Sequence, residues 1–148
     1  MRLPRVANTL FLSPATTANT DASICFTVVL PLLPVMANEG LLTQAVANLF
    51  SNGVKFIQTG QTPRLDVRTE CNNGFVRLWV EDNGIGMAKD EQAKLFTLFT
   101  RLRGARDYEG SGVGLAVVRR AVRKMGGSVG VESETGKGSR FWIDLKPA

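Results

Sequence analysis

The spacing of apolar and polar positions changes character along the chain, and each change marks an element. From Ile24 to Val29 the residues are largely apolar, β-branched or aromatic, which predicts a first strand that Pro31 and Pro34 end. Asn38 is placed to cap a helix. Along that helix Leu42, Val46, Leu49, Phe50 and Ile57 gather on one side, while Gln44, Asn48, Asn52 and Lys55 gather on the other. The apolar side faces a core and the polar side a cleft. After the turn residues Thr59 to Pro63 the period drops to two: Leu65 to Glu70 and Phe75 to Glu81 alternate around Asn72-Asn73-Gly74, which predicts a hairpin.

A short helix is expected over Lys89 to Phe96, with Phe96 and Phe99 as its core residues. Arg101 to Gly112 has no period and is rich in glycine and charge, as suits a mobile lid. Val113, Ala116, Val117, Ala121 and Val122 then give a helix from Val113 to Met125, ended by Gly126-Gly127. Ser128 to Ser133 and Ser139 to Leu145 alternate again around Thr135-Gly136-Lys137-Gly138. Residues 1–22 show neither period and read as a poorly ordered leader or linker, leaving 23–148 as one domain without internal repeats.

Composition narrows the chemistry. A chain of 148 residues, 44% hydrophobic and 21% charged, has the length and balance of one soluble globular domain. The net charge of +5 is scattered, apart from clusters at Arg101, Arg103, Arg106 and at Arg119, Arg120, Arg123, Lys124, so solvated faces and phosphate attraction are expected rather than a nucleic-acid surface. Cys25 and Cys71 alone support neither a disulfide framework nor a metal site, and a reducing, cytoplasmic setting fits. There is no histidine, which excludes a Ser-His-Asp triad, a His-ligated zinc and phosphorylation of a histidine within the chain. The apolar run Ile24 to Ala37 is too short and too proline-broken for a membrane span, so no direct membrane contact is expected, and the polar run Thr16 to Asp21 argues against a secretory signal.

Three motifs can act together. Asn48, Asn52 and Lys55, spaced by four and three, share one helix face, where a carbonyl oxygen from Asn52 can serve magnesium and Lys55 can meet phosphates. Spacing alone favours a merely solvated polar face, and the motifs downstream reverse that reading. Asp82-Asn83-Gly84-Ile85-Gly86 follows a strand; a carboxylate there can accept from an exocyclic amine, although the same residues make an ordinary turn. Gly110-Ser111-Gly112-Val113-Gly114-Leu115 opens a helix whose amides and dipole suit a phosphate chain, without the Walker ending or the preceding strand of a Rossmann fingerprint. Ser139, at the start of the last strand, can support base recognition beside Asp82.

In this order the motifs resemble the catalytic and ATP-binding domain of sensor histidine kinases, in the superfamily of gyrase, heat-shock chaperone and mismatch-repair ATPases. Leu42 to Phe56 looks like the N box, Asp82 to Gly86 the first glycine box, Phe96 to Arg101 the phenylalanine box, Gly110 to Leu115 the second glycine box and Gly136 to Phe141 the closing one. The resemblance covers about residues 24 to 146. It implies a Bergerat-type α/β two-layer sandwich, a mixed and mainly antiparallel sheet covered on one face by about three helices. It further implies ATP and magnesium as cofactors, Asn52 as the metal ligand, Asn48 and Lys55 as metal or phosphate contacts, and Asp82 as the adenine reader. Phe56, Gly84, Ile85, Gly86, Gly110, Ser111, Gly112, Val113, Gly114, Leu115 and Ser139 would line the nucleotide, under a lid formed by the loop before the second glycine box.

Gly53 departs from the family's usual alanine, and a helical glycine costs about 1 kcal/mol, so a looser helix is expected there. Related ATPases carry a water-activating glutamate at the position of Asn48; an amide is no base, so little intrinsic hydrolysis is expected. The function implied is the ATP-binding half of a two-component histidine kinase, whose dimerisation and histidine phosphotransfer domain and response regulator are its partners. Two rivals stand beside it: a stand-alone anti-sigma-type serine kinase, and a nucleotide-sensing module without transfer activity. Acid lability of a labelled product separates the two kinases.

Overall fold

The computed structural model describes residues 24–96 and 114–148. The leader, Phe99, the lid and residues 110–113 of the glycine loop lie outside them. The described elements run β1 (Cys25–Val28), α1 (Glu39–Lys55), β2 (Arg64–Asn72), β3 (Phe75–Asp82), α2 (Lys89–Gln92), α3 (Gly114–Lys124), β4 (Ser128–Glu134) and β5 (Gly138–Leu145). They form one sheet in the order β1-β2-β3-β5-β4. Only β1 and β2 are parallel, joined through α1; the other pairs are antiparallel. The expected mixed sandwich is what forms.

Local chemistry sets the boundaries. The Asn38 side chain accepts from Leu41 N at 3.0 Å, satisfying one of the orphan amides of α1. Positive φ at both Asn73 (48°) and Gly74 (82°) gives the β2–β3 hairpin the primed turn that matches strand twist. At the end of α3, Gly126 N reaches Arg123 O and Gly127 N reaches Val122 O, each at 3.0 Å, with Gly126 at φ 75°, a Schellman ending. The helix expected to reach Phe96 stops at Gln92, and Phe96 instead sets its ring edge-on to Phe141 at 6.5 Å. Ile57 also falls outside its expected helix, because Phe56 caps α1 with ψ 54°.

Strand register lays side chains in rows across the sheet. Val28, Val67, Val80, Phe141 and Val131 form one row on the covered face and meet Val46, Leu49, Val118 and Val122 of α1 and α3. Each fully buried aliphatic side chain there contributes about 1.5–3 kcal/mol. Ala45 and Gly53 join Leu42, Val46 and Leu49 as the buried residues of α1. Gly53 is therefore close-packed rather than loose: an added Cβ would collide with Leu65 and lie 3.2 Å from the Asp82 Cβ. The missing methyl brings the helix down onto the end of β3.

The opposite face bears no helix among the described residues, and its rows alternate charge with indole. Glu70, Arg77 and Asp144 form one row, and Arg68, Trp79, Trp142 and Gly130 the next. Trp79 lies on this uncovered face and is buried all the same, with the guanidinium groups of Arg68, Arg77 and Arg140 at 5.2, 5.5 and 5.0 Å from its ring.

Candidate functional site

On the covered face the row next to the valines turns polar. It reads Phe26, Leu65, Asp82, Ser139, Ser133 across the five strands, so strand register, including the long-range pairing of β3 with β5, brings three separate segments together. Asp82 Oδ1 accepts from Gly84 N at 2.9 Å and from Ser139 N at 3.2 Å. No cation is bonded to it among the described residues. Burial pushes its pKa up to about 6, against the smaller opposing pull of those two amides. The carboxylate is desolvated and still has bonding capacity to spare.

The turn after Asp82 is fixed to the end of α1. Ile85 N donates to Phe56 O at 2.9 Å, and a Cβ at Gly84 would strike that same carbonyl, so only glycine permits the approach. Gly86 follows at φ 67°. Together these bonds set the first glycine box against the polar stripe of α1.

At the other end of that stripe α3 begins. A Cβ on Gly114 would lie 3.2 Å from Asn48 Oδ1 and 3.9 Å from Asn52 Oδ1, so the first turn of α3 abuts both carboxamides. Asn48 Nδ2 donates to Gln44 O at 2.8 Å, which commits its amide nitrogen and leaves its oxygen toward Gly114. The Lys55 ammonium stands 5.9 Å from the Phe56 ring centroid. The chemistry fits a magnesium-bound phosphate chain: the carboxamide oxygens can meet the cation and the start of α3 the anion. No cluster of three His, Cys, Asp or Glu side chains competes for a metal among the described residues.

Between the two ends is a cavity open to solvent. It is lined by Asn52, Phe56, Asp82, Ile85, Gly86, Leu115 and Ser139, all anticipated from the sequence. Met87, Leu95 and Phe141 complete the lining and were not anticipated. The alternation of β5 could have given Phe141, which shares a face with Ser139. Asn48, Gly84 and Gly114 adjoin lining residues and Lys55 stands beside the Phe56 ring, but none of the four lines the cavity. The phosphate-loop expectations Gly110, Ser111, Gly112 and Val113 fall outside the described residues.

The sequence matches the family described as "Histidine kinase-, DNA gyrase B-, and HSP90-like ATPase" over residues 37–148. It is 40% identical over 121 residues to the aerobic respiration control sensor protein ArcB of Escherichia coli (strain K12), covering 78% of this chain and 15% of that protein. It is 38% identical over 117 residues to the sensor histidine kinase AruS of Pseudomonas aeruginosa, covering 74% and 11%. The chain thus corresponds to a small part of these relatives. Among solved structures, the mycobacterial sensor histidine kinase MprB superposes with a TM-score of 0.73 at 30% identity, over 84% of this chain and 86% of that one. Full-length ShkA in complex with AMPPNP superposes with a TM-score of 0.69 at 36% identity, over 86% and 26%. The chain belongs to the histidine kinase-, DNA gyrase B-, and HSP90-like ATPase family, and within it is an ATP-binding catalytic domain of the histidine-kinase type.

Proposed function

We propose that this family member is the Mg-ATP-binding catalytic domain of a two-component sensor histidine kinase, holding the γ-phosphate for a histidine carried on another domain or protein. One observation carries the reading: a single cavity has the Asn52 carboxamide and the start of α3 at one end and the uncompensated Asp82 carboxylate at the other. These ends match a metal-bound phosphate chain and an amine-bearing base. The AMPPNP complex of the structural neighbour ShkA supports the same occupant.

In this reading Asp82 and Ser139 orient adenine, Phe56, Ile85 and Leu115 exclude water from it, and Asn52 holds magnesium. Asn48 and Lys55 contact the metal or the phosphates, with Gly110, Ser111, Gly112, Val113 and Gly114 supplying backbone amides. When bound, magnesium neutralises charge on the transferring phosphoryl group. Phosphoryl transfer is largely positioning, so a domain with no histidine of its own needs only to present the phosphate. The acceptor belongs to a dimerisation and phosphotransfer domain, and a response regulator takes the phosphate onward. The working unit is residues 23–148, on the cytoplasmic side of a larger sensor.

Calorimetry with ADP, with and without magnesium, tests the site. Asn52→Ala should abolish the magnesium-dependent part of binding while leaving the fold intact by circular dichroism. Labelled ATP should pass phosphate to a separately supplied histidine-bearing helical domain. Magnesium-independent binding in the wild-type chain, or no transfer to any such domain, would overturn the proposal.

A further inference from the structure

Ser133 lies outside the cavity lining, yet its hydroxyl is the junction of the polar row. Its Oγ is 2.7 Å from Ser139 Oγ and 2.9 Å from Gly138 O, and it accepts from Met87 N at 3.0 Å. A serine hydroxyl has one hydrogen to donate and two lone pairs. If Ser133 donated to Ser139, the carbonyl of Gly138 would lose this bond and the Ser139 hydrogen would have no acceptor among the described residues. If instead Ser139 donates to Ser133 and Ser133 to Gly138 O, both hydrogens are used and Ser133 is filled, with one bond given and two accepted. Bond counting selects the second arrangement.

That direction has a chemical consequence. With its hydrogen committed to Ser133, Ser139 offers only lone pairs to a ligand. Asp82 Oδ1 already takes two amides, and Oδ2 has no hydrogen bond among the described residues, so the carboxylate also offers only acceptance. We propose that Ser133 is a specificity-determining positioning residue: by fixing Ser139 as an acceptor beside Asp82, it tunes the base end of the cavity to a 6-amino purine and against a 6-oxo purine. An exocyclic amine has two hydrogens for two acceptors. A 6-oxo group would set a third lone-pair-bearing oxygen among them, an unpaired polar contact in a confined site.

This inference rests on the nucleotide reading above and extends it to a residue outside the pocket. The measurement is calorimetric affinity for Mg-ADP and Mg-IDP, the latter carrying the 6-oxo base on the same ribose and phosphates. The wild-type chain should prefer ADP. Ser133→Ala frees the Ser139 hydrogen to turn to the 6-oxo group and should cut the ADP-over-IDP preference about tenfold, chiefly by tightening IDP. Ser133→Thr keeps the hydroxyl and should restore the wild-type ratio. Equal weakening of both nucleotides in Ser133→Ala, with a lowered unfolding midpoint, would make Ser133 merely structural and overturn the proposal, as would an unchanged ratio. Absence of any ADP binding in the wild-type chain would instead overturn the nucleotide reading on which it rests.

Discussion

Two aspartates in the same sheet show how differently one side chain can be used. Asp144, on the uncovered face, receives Arg77 Nε and Nη2 at 2.7 Å each, and the guanidinium lies 4.1 Å from the Trp142 ring. Asp82, on the covered face, has two backbone amides and no cation among the described residues. The first is a completed pair: the bond to Asp144 raises the Arg77 pKa above its already high ordinary value. The second is incomplete, and its pKa of about 6 records the strain of an unpartnered charge. The fold pairs a buried carboxylate in one row and leaves the other without a cation, as the proposed nucleotide site requires.

The largest effect should come from breaking the completed pair. Asp144→Ala leaves the Arg77 guanidinium two-tenths exposed with no bidentate partner, and should cost about 3–4 kcal/mol in denaturant unfolding. Affinity for Mg-ADP, measured below the shifted transition, should be unchanged because the pair faces away from the cavity. A loss below 1 kcal/mol would erase the contrast between the two carboxylates.

Asp82→Asn should act in the opposite direction. An acid whose folded pKa lies above its ordinary 3.8 binds its proton more tightly when folded, so its stabilising contribution is present below about 3.8 and is lost as pH rises through about 6. Above that range the ionised wild-type side chain should cost up to about 3 kcal/mol relative to a neutral one. The asparagine variant should therefore match wild type near pH 4 and exceed it in stability at pH 7.5, while losing preference for adenine. Unfolding free energies at the two pH values decide it; a variant less stable than wild type at pH 7.5 refutes the assignment.

The contrast was only partly visible in the sequence. Helix α1, its Asn38 cap and the β2–β3 hairpin are local signals, and each formed where periodicity placed it. Asp82 was singled out by its place after a strand and before two glycines. What spacing could not show was the register between distant strands. Ser133 joins Asp82 only because β5 pairs with both β3 and β4, and Trp79 is buried on an uncovered face only because three arginines from two neighbouring strands and its own close over it. Ile57 fitted the apolar face of α1 by period, yet Ile85 N bonds to Phe56 O where the helix ends. For Ile57 a tertiary contact overrode the local period; for Ser133 and Trp79 the deciding contacts lie between strands, where no local pattern carries them.

The smallest predicted effect separates the two supports of Arg77. The Arg77 guanidinium is held by two charge-assisted bonds and by its position over Trp142, whose indole also packs against the bare backbone of Gly130. Trp142→Leu keeps an apolar side chain over Gly130 but removes the ring face, and should cost about 1 kcal/mol, the scale of a partly desolvated cation–π contact. A double-mutant cycle with Asp144→Ala gives the coupling. If the ring acts by orienting Arg77 toward the carboxylate, the two losses should be less than additive, since an arginine without its aspartate has nothing to be oriented toward. Strict additivity would instead mean that the ring stabilises the face by its own packing, and that the pair would form as well on any apolar strand.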